Sequence, residues 1–228
     1  METTDRSVTA EINLYYDLFI PENAEPNAPL LITVHGYAAH KGYMMREAKL
    51  IAPANFVIAS LQAPNKFFRE SKDGEYKLAF GWLNDFKPEE SVALHHKFVL
   101  DVIDKLAEAG TIDPKNVYLH GFSQACALNF RFAFTNPKAL KGIIGICGGI
   151  PSDLETSEKY SETSADVLYV YGNDDIFYTQ EKFENYAARL KDFAPNLHTQ
   201  KYTGGHEITQ EMRADIKQWL AMKKQQVT

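Results

Sequence analysis

Short, wholly apolar runs alternate along the chain with stretches in which apolar side chains recur every three or four positions. Leu30–Val34, Phe56–Ala59, Asn116–Leu119, Gly142–Cys147 and Val167–Tyr171 have the length and β-branched content of buried strands. Tyr15–Ile20, ending at Pro21, and Leu197–Tyr202 predict two more. Helices are predicted from about Tyr43 to Pro53, over Glu89–Ala109, from Gln124, over Gln180–Phe193 and over Glu207–Lys224. In the Glu89–Ala109 stretch Val92, Leu94, Phe98, Val99, Val102, Ile103 and Leu106 make one apolar stripe, and Gly110 follows as a C-cap. Ile208, Met212, Ile216, Trp219 and Leu220 do the same in the last helix. Strands that are apolar throughout must be covered on both faces. The alternation therefore predicts an α/β fold, with a mostly parallel sheet flanked by helices on both sides. No Pro/Gly/Ser-rich linker and no internal repeat divides the chain, so residues 1–228 are expected to form one domain.

Composition adds exclusions. The chain has 228 residues, 45% of them hydrophobic and 24% charged, which excludes a disordered polymer. The net charge is -6, with no basic run, so no nucleic-acid partner is expected. Two cysteines, Cys126 and Cys147, sit in apolar stretches and are expected to be reduced buried thiols. The N-terminus is polar and no apolar run approaches the ~18 residues of a membrane span, so a cytoplasmic protein without stable membrane insertion is expected. The Ala63–Lys87 segment departs from the alternation. It is long, polar and studded with Phe67, Phe68, Tyr76, Phe80, Trp82 and Phe86. Such a segment either lines a pocket or packs onto the domain through its aromatics.

The densest chemical signal is Gly121-Phe122-Ser123-Gln124-Ala125, between a predicted strand and a predicted helix. A serine on so sharp a turn needs small residues two positions away on each side, and Gly121 and Ala125 supply them. Its hydroxyl needs a base, and the base an orienting acid. In an α/β fold these follow in the order Ser, Asp/Glu, His, each at the carboxyl end of a strand. Asp174 and Asp175 follow Val167–Tyr171, and His206 lies in the turn Gly204-Gly205-His206-Glu207. The N–H of Gln124, at a helix start, and that of Tyr37, in the loop His35–His40 after an earlier strand, are the candidate oxyanion donors. The other histidines fit less well: His35 and His40 suit loop anchoring, and His120 suits packing beside the sheet. No metal-ligand spacing, P-loop or dinucleotide fingerprint occurs, so neither a metal nor a cofactor is expected.

Three stretches together resemble the phospholipase/carboxylesterase group of α/β-hydrolases, which includes acyl-protein thioesterases. They are Leu119–Ala125 preceded by Asp113-Pro114, Gly204–Ile208 leading to Asp215–Leu220, and the His35-Gly36 turn. The resemblance covers about Leu30 to Leu220. It implies an α/β-hydrolase fold of about seven strands with no separate lid domain, and a catalytic Ser123, Asp175 and His206. Asp175 is preferred to Asp174 because the family's acid stands three residues after the strand-ending glycine, here Gly172. Departures lie at Ala125, at Tyr37-Ala38-Ala39, and at Ile176-Phe177 where the family has Asp-Pro after the acid. They bear on the substrate. Trp82 and Phe177 are the candidate pocket residues. The expected partner is a small-molecule carboxylic ester of short to medium acyl length, because no helical lid is inserted. Thioester, lysophospholipid or peptide hydrolysis and a non-catalytic binding module are the alternatives.

Overall fold

The computed structural model describes residues 3–71 and 73–224. Its elements in chain order begin with β1 (Tyr16–Phe19), β2 (Ala28–Val34), α1 (Lys41–Ile51) and β3 (Val57–Leu61). They continue with β4 (Asn65–Glu70), β5 (Tyr76–Gly81), α2 (Pro88–Glu108), β6 (Ile112–Phe122), α3 (Gln124–Thr135) and β7 (Gly142–Ile146). The chain closes with β8 (Asp166–Gly172), α4 (Gln180–Leu190), β9 (Leu197–Tyr202) and α5 (Gln210–Lys224). Seven strands form the main sheet in the order β1-β3-β2-β6-β7-β8-β9. All neighbours are parallel except β1, which pairs antiparallel with β3 at the edge.

The apolar runs become the central strands for the expected reason. Every residue of β3 and β7 is buried, and so are Leu30, Leu31, Ile32 and Val34 of β2. Each buried Val, Leu or Ile side chain among them contributes about 1.5–3 kcal/mol relative to exposure. The sheet is therefore a stiff platform, and its carboxyl edge carries the ends of β2 and β6 on one side of β7 and those of β8 and β9 on the other. The α2 stripe buries Phe98, Val99, Val102, Ile103 and Leu106, and Pro88 occupies its first turn, where no N–H is needed. Gly110 takes φ 68° just beyond that helix, where a side chain would be strained.

The aromatic segment holds an element the periodicity did not show. β4 and β5 form an antiparallel hairpin in register from Asn65 with Gly81 to Glu70 with Tyr76. It stands outside the main sheet but is joined to it: Ala38 N–H donates to Phe80 O at 2.9 Å, and Ala39 bridges Phe80. No described helix is long and apolar enough to cross a membrane.

Candidate active site

Ser123 lies between the last residue of β6 and the first of α3, with φ 57° and ψ -118°. A non-glycine residue in so sparsely populated a region costs of order 1–3 kcal/mol and persists only when its surroundings dictate it. Here Ser123 N–H donates to Ile146 O at 2.9 Å, and Cys126 N–H donates to Ser123 O at 3.0 Å. The turn closes tightly enough that a Cβ on Gly121 would stand 2.5 Å from Asn129 Nδ2 and 3.2 Å from Ala125 Cβ. That is the steric reason for small residues on both sides of Ser123.

His206 Nε2 lies 3.0 Å from Ser123 Oγ, and His206 Nδ1 lies 2.8 Å from Asp175 Oδ2. A carboxylate accepts, so Nδ1 carries the proton and Nε2 is left to accept from the serine hydroxyl. Asp175 is buried, and its Oδ1 accepts from the N–H groups of Phe177 (2.8 Å) and Tyr178 (2.9 Å). Asp174, one residue earlier, is exposed and does not reach His206. The spacing from Gly172 has a local cause. Asp175 N–H donates to Gly172 O at 3.1 Å, closing a four-residue turn that swings Asp175 inward. The acid loop and the histidine loop then meet across Gly172, where a Cβ would stand 2.3 Å from Gly204 O. The imidazole of His206 is boxed by Phe122 at 4.9 Å, Phe177 at 4.9 Å and Tyr178 at 5.8 Å between ring centroids.

The His35–Ala39 turn lies against the elbow. A Cβ on Gly36 would stand 3.1 Å from both Ser123 Cβ and Phe122 O, so Tyr37 follows a backbone pressed onto the serine. Neither the Tyr37 nor the Gln124 N–H has a backbone hydrogen-bond partner among the described residues. Gln124 also begins a twelve-residue helix, whose positive end therefore faces the serine. His35 is buried with its pKa lowered to about 4, chiefly by desolvation. Its Nε2 accepts from Ala63 N–H at 3.1 Å, which leaves Nδ1–H to donate to Gly36 O at 2.7 Å. The neutral ring thus pins the turn, the anchoring role its place in the sequence suggested.

Trp82 is not a pocket wall. It is 2% exposed, and its indole Nε1–H donates to His35 O at 2.9 Å while its backbone N–H donates to Gln124 Oε1 at 3.0 Å. A buried indole must find an acceptor, and the acceptor here is the carbonyl of His35 at the start of the His35–Ala39 turn. Phe177, in contrast, is 58% exposed at the edge of His206. Phe67, which the sequence singles out only as one aromatic of the Ala63–Lys87 segment, stacks its ring on that of Tyr37 at 4.9 Å. The two rings border a groove of about 540 Å³ that Asn65, Gly81 and Leu83 also line.

Cys126 and Cys147 are free and buried. Burial pushes the Cys147 thiol up to about 12 and the Cys126 thiol higher still, so both stay protonated and unreactive. Cys147 lies with Asp175 and His206 so that one atom of each is within 4.8 Å of the others. A cation there would face a protonated thiol and a carboxylate already accepting three hydrogen bonds, which suits a hydrogen-bonded relay better than a metal cage.

A parallel sheet with one antiparallel edge, helices packed on it and a serine at a strand-to-helix elbow defines an α/β-hydrolase fold. The chain belongs to the phospholipase/carboxylesterase family, whose profile matches residues 16–224. A relative in Arabidopsis thaliana, named "Probable carboxylesterase SOBER1-like", is 30% identical over 142 residues, covering 61% of this chain and 54% of its own. The chain spans about half the length of the curated relatives it matches. A Bacillus cereus carboxylesterase superposes with a TM-score of 0.70 at 17% identity, covering 92% of this chain and 94% of that one. Zea mays acyl-protein thioesterase 2 gives 0.69 at 16% identity over 92% and 98%. At such identities the superpositions establish the fold.

Proposed function

We propose that the protein is a serine carboxylesterase acting on short- to medium-chain carboxylic esters through an acyl-enzyme. The observation that carries this is the hydrogen-bonded chain Ser123–His206–Asp175 at the mouth of a strained elbow. Ser123 Oγ attacks the acyl carbonyl while His206 Nε2 takes its proton, and the same proton then goes to the leaving alcohol. Asp175 fixes the tautomer and stabilises the imidazolium. The oxyanion is held by the N–H groups of Tyr37 and Gln124, either of which is worth about 10²–10³ in rate. Water resolves the acyl-enzyme by the reverse proton path. Nothing in this path requires a metal or cofactor.

Phe177, exposed beside His206, and the Tyr37–Phe67 pair, which includes a proposed oxyanion donor, offer apolar surface that suits a compact acyl or aryl group. A fluorophosphonate is expected to label the wild-type protein and to leave Ser123→Ala unlabelled; equal labelling refutes the assignment. In a series of p-nitrophenyl esters, kcat/KM is expected to peak between acetate and octanoate, and a maximum at palmitate overturns the chain-length reading. Thioester cleavage is the second reading, because the same serine chemistry serves it and a structural neighbour carries that name. Matched oxygen-ester and thioester pairs separate the two.

A further inference from the structure

The two proposed oxyanion donors come from different parts of the chain, Tyr37 after β2 and Gln124 after β6. Their separation must hold to within a few tenths of an ångström for both to reach one oxygen. Direct contact at Gly36 sets how closely the turn approaches Ser123, but it supplies no directional bond between the two halves. One residue bonds both. The Trp82 indole N–H holds the carbonyl of His35, two residues before Tyr37, and the Trp82 backbone N–H holds the side chain of Gln124 itself. The Trp82 ring also packs against two imidazoles. His95 of α2 packs edge-on against it at 5.2 Å, and His35 lies tilted against it at 5.4 Å. Asn65 Nδ2 adds a bond to Trp82 O at 3.2 Å from the hairpin.

We propose that Trp82 is a positioning residue that clamps the two halves of the oxyanion hole at fixed separation. This rests on the serine-hydrolase reading above and concerns only how its anion site is held. Ser123 Oγ adds to the carbonyl carbon, its proton passes to His206 Nε2, and the C=O π pair becomes the oxyanion. Only that last species feels the clamp, because the neutral ester needs no tight pair of donors.

The test compares Trp82→Phe, which keeps most of the ring and removes the indole donor, with Gln124→Met, which removes the acceptor at the other end. The readouts are ester kinetics, melting temperature and inhibition by an alkyl trifluoromethyl ketone, which forms the same oxyanion on Ser123. Trp82→Phe is expected to lower kcat about 10- to 100-fold with KM within about threefold, as part of the 10²–10³ carried by a donor. The trifluoromethyl ketone is expected to weaken by the same factor as kcat/KM. Gln124→Met is expected to act in the same direction, and the double variant to lose little more than Trp82→Phe alone, since both break one unit. Wild-type-like kcat and ketone affinity in Trp82→Phe, or a loss confined to KM, overturns the proposal. If that variant does not fold, the same two outcomes in Gln124→Met decide it. A wild-type protein that neither turns over esters nor labels at Ser123 refutes the serine-hydrolase reading itself, and the clamp with it.

Discussion

Ser123 at φ 57° and Asp175 with three accepted hydrogen bonds show how little freedom the groups of the proposed triad retain. The imidazole between them has one tautomer available, because only Nδ1–H can serve a carboxylate. Asp175→Asn is therefore expected to lower kcat by about 10³–10⁴, since an amide in that place can stabilise the wrong tautomer. Asp174→Asn is expected to change it by less than about threefold; steady-state kinetics on both variants checks the choice, and the reverse ranking would reassign the acid. Individual residues were unequally legible. Ser123, Asp175 and His206 stand in turns whose glycines mark them in the sequence, and the structure brings all three together. Trp82 was named for the wrong job, because an aromatic residue near a site reads the same whether its ring meets substrate or an inner carbonyl. The Tyr37–Phe67 stack joins residues thirty positions apart, and nothing local announces it.

Helices and strands divide in the same way. Buried strands and the striped helix α2 were readable because their burial is set by one dominant neighbour, the sheet. The β4–β5 hairpin was not, although Asp73-Gly74 is a recognisable hairpin turn and Gly74 takes φ 79° there. Its strands carry Lys66, Arg69, Glu70 and Lys77, and most of their side chains are exposed; Tyr76, Leu78 and Phe80 alternate in β5, but β4 carries no matching alternation to mark its partner. Pairing between helices is equally hidden. Arg213 of α5 reaches Glu47 of α1 with bonds of 2.7 and 3.1 Å across 166 positions, and Glu47 is buried. Arg213→Met is expected to cost about 2–4 kcal/mol by leaving a buried carboxylate unpaired, and Glu47→Met with Arg213→Met to recover most of that. Urea unfolding of the three variants reads this directly, and a double variant as unstable as the single one would contradict it.

At the scale of the whole molecule, the described residues include three buried histidines, His35, His95 and His120, and a partly buried one, His96, all held as neutral rings. Burial lowers His35, His96 and His120 to about 4 and His95 to about 3, from the ordinary 6.5. Their folded-state values lie below the unfolded one, so the unfolded chain takes up protons first. Stability is then full above about pH 6.5, falls as pH drops toward 4, and levels off below the folded values. Each ring is expected to contribute a loss of roughly 1 kcal/mol per pH unit in that window. The urea midpoint should therefore be clearly lower at pH 5 than at pH 7, and equal midpoints would show that these rings are charged or solvated in the fold. Protonation of His35 also removes the acceptor that Ala63 N–H needs, so the His35–Ala39 turn is expected to loosen with it. Apolar periodicity, turn glycines and the order of Ser, Asp and His are local properties, and from them the sequence by itself determined the α/β class and the family and marked Ser123, His206 and the Asp174-Asp175 pair as candidates. Folding chose which of two adjacent aspartates points inward, turned an aromatic loop into a hairpin, and spent Trp82 on a backbone carbonyl. Those outcomes depend on which groups meet across long sequence separations, and burial satisfies polar atoms with whatever partner the packed chain brings within about 3 Å.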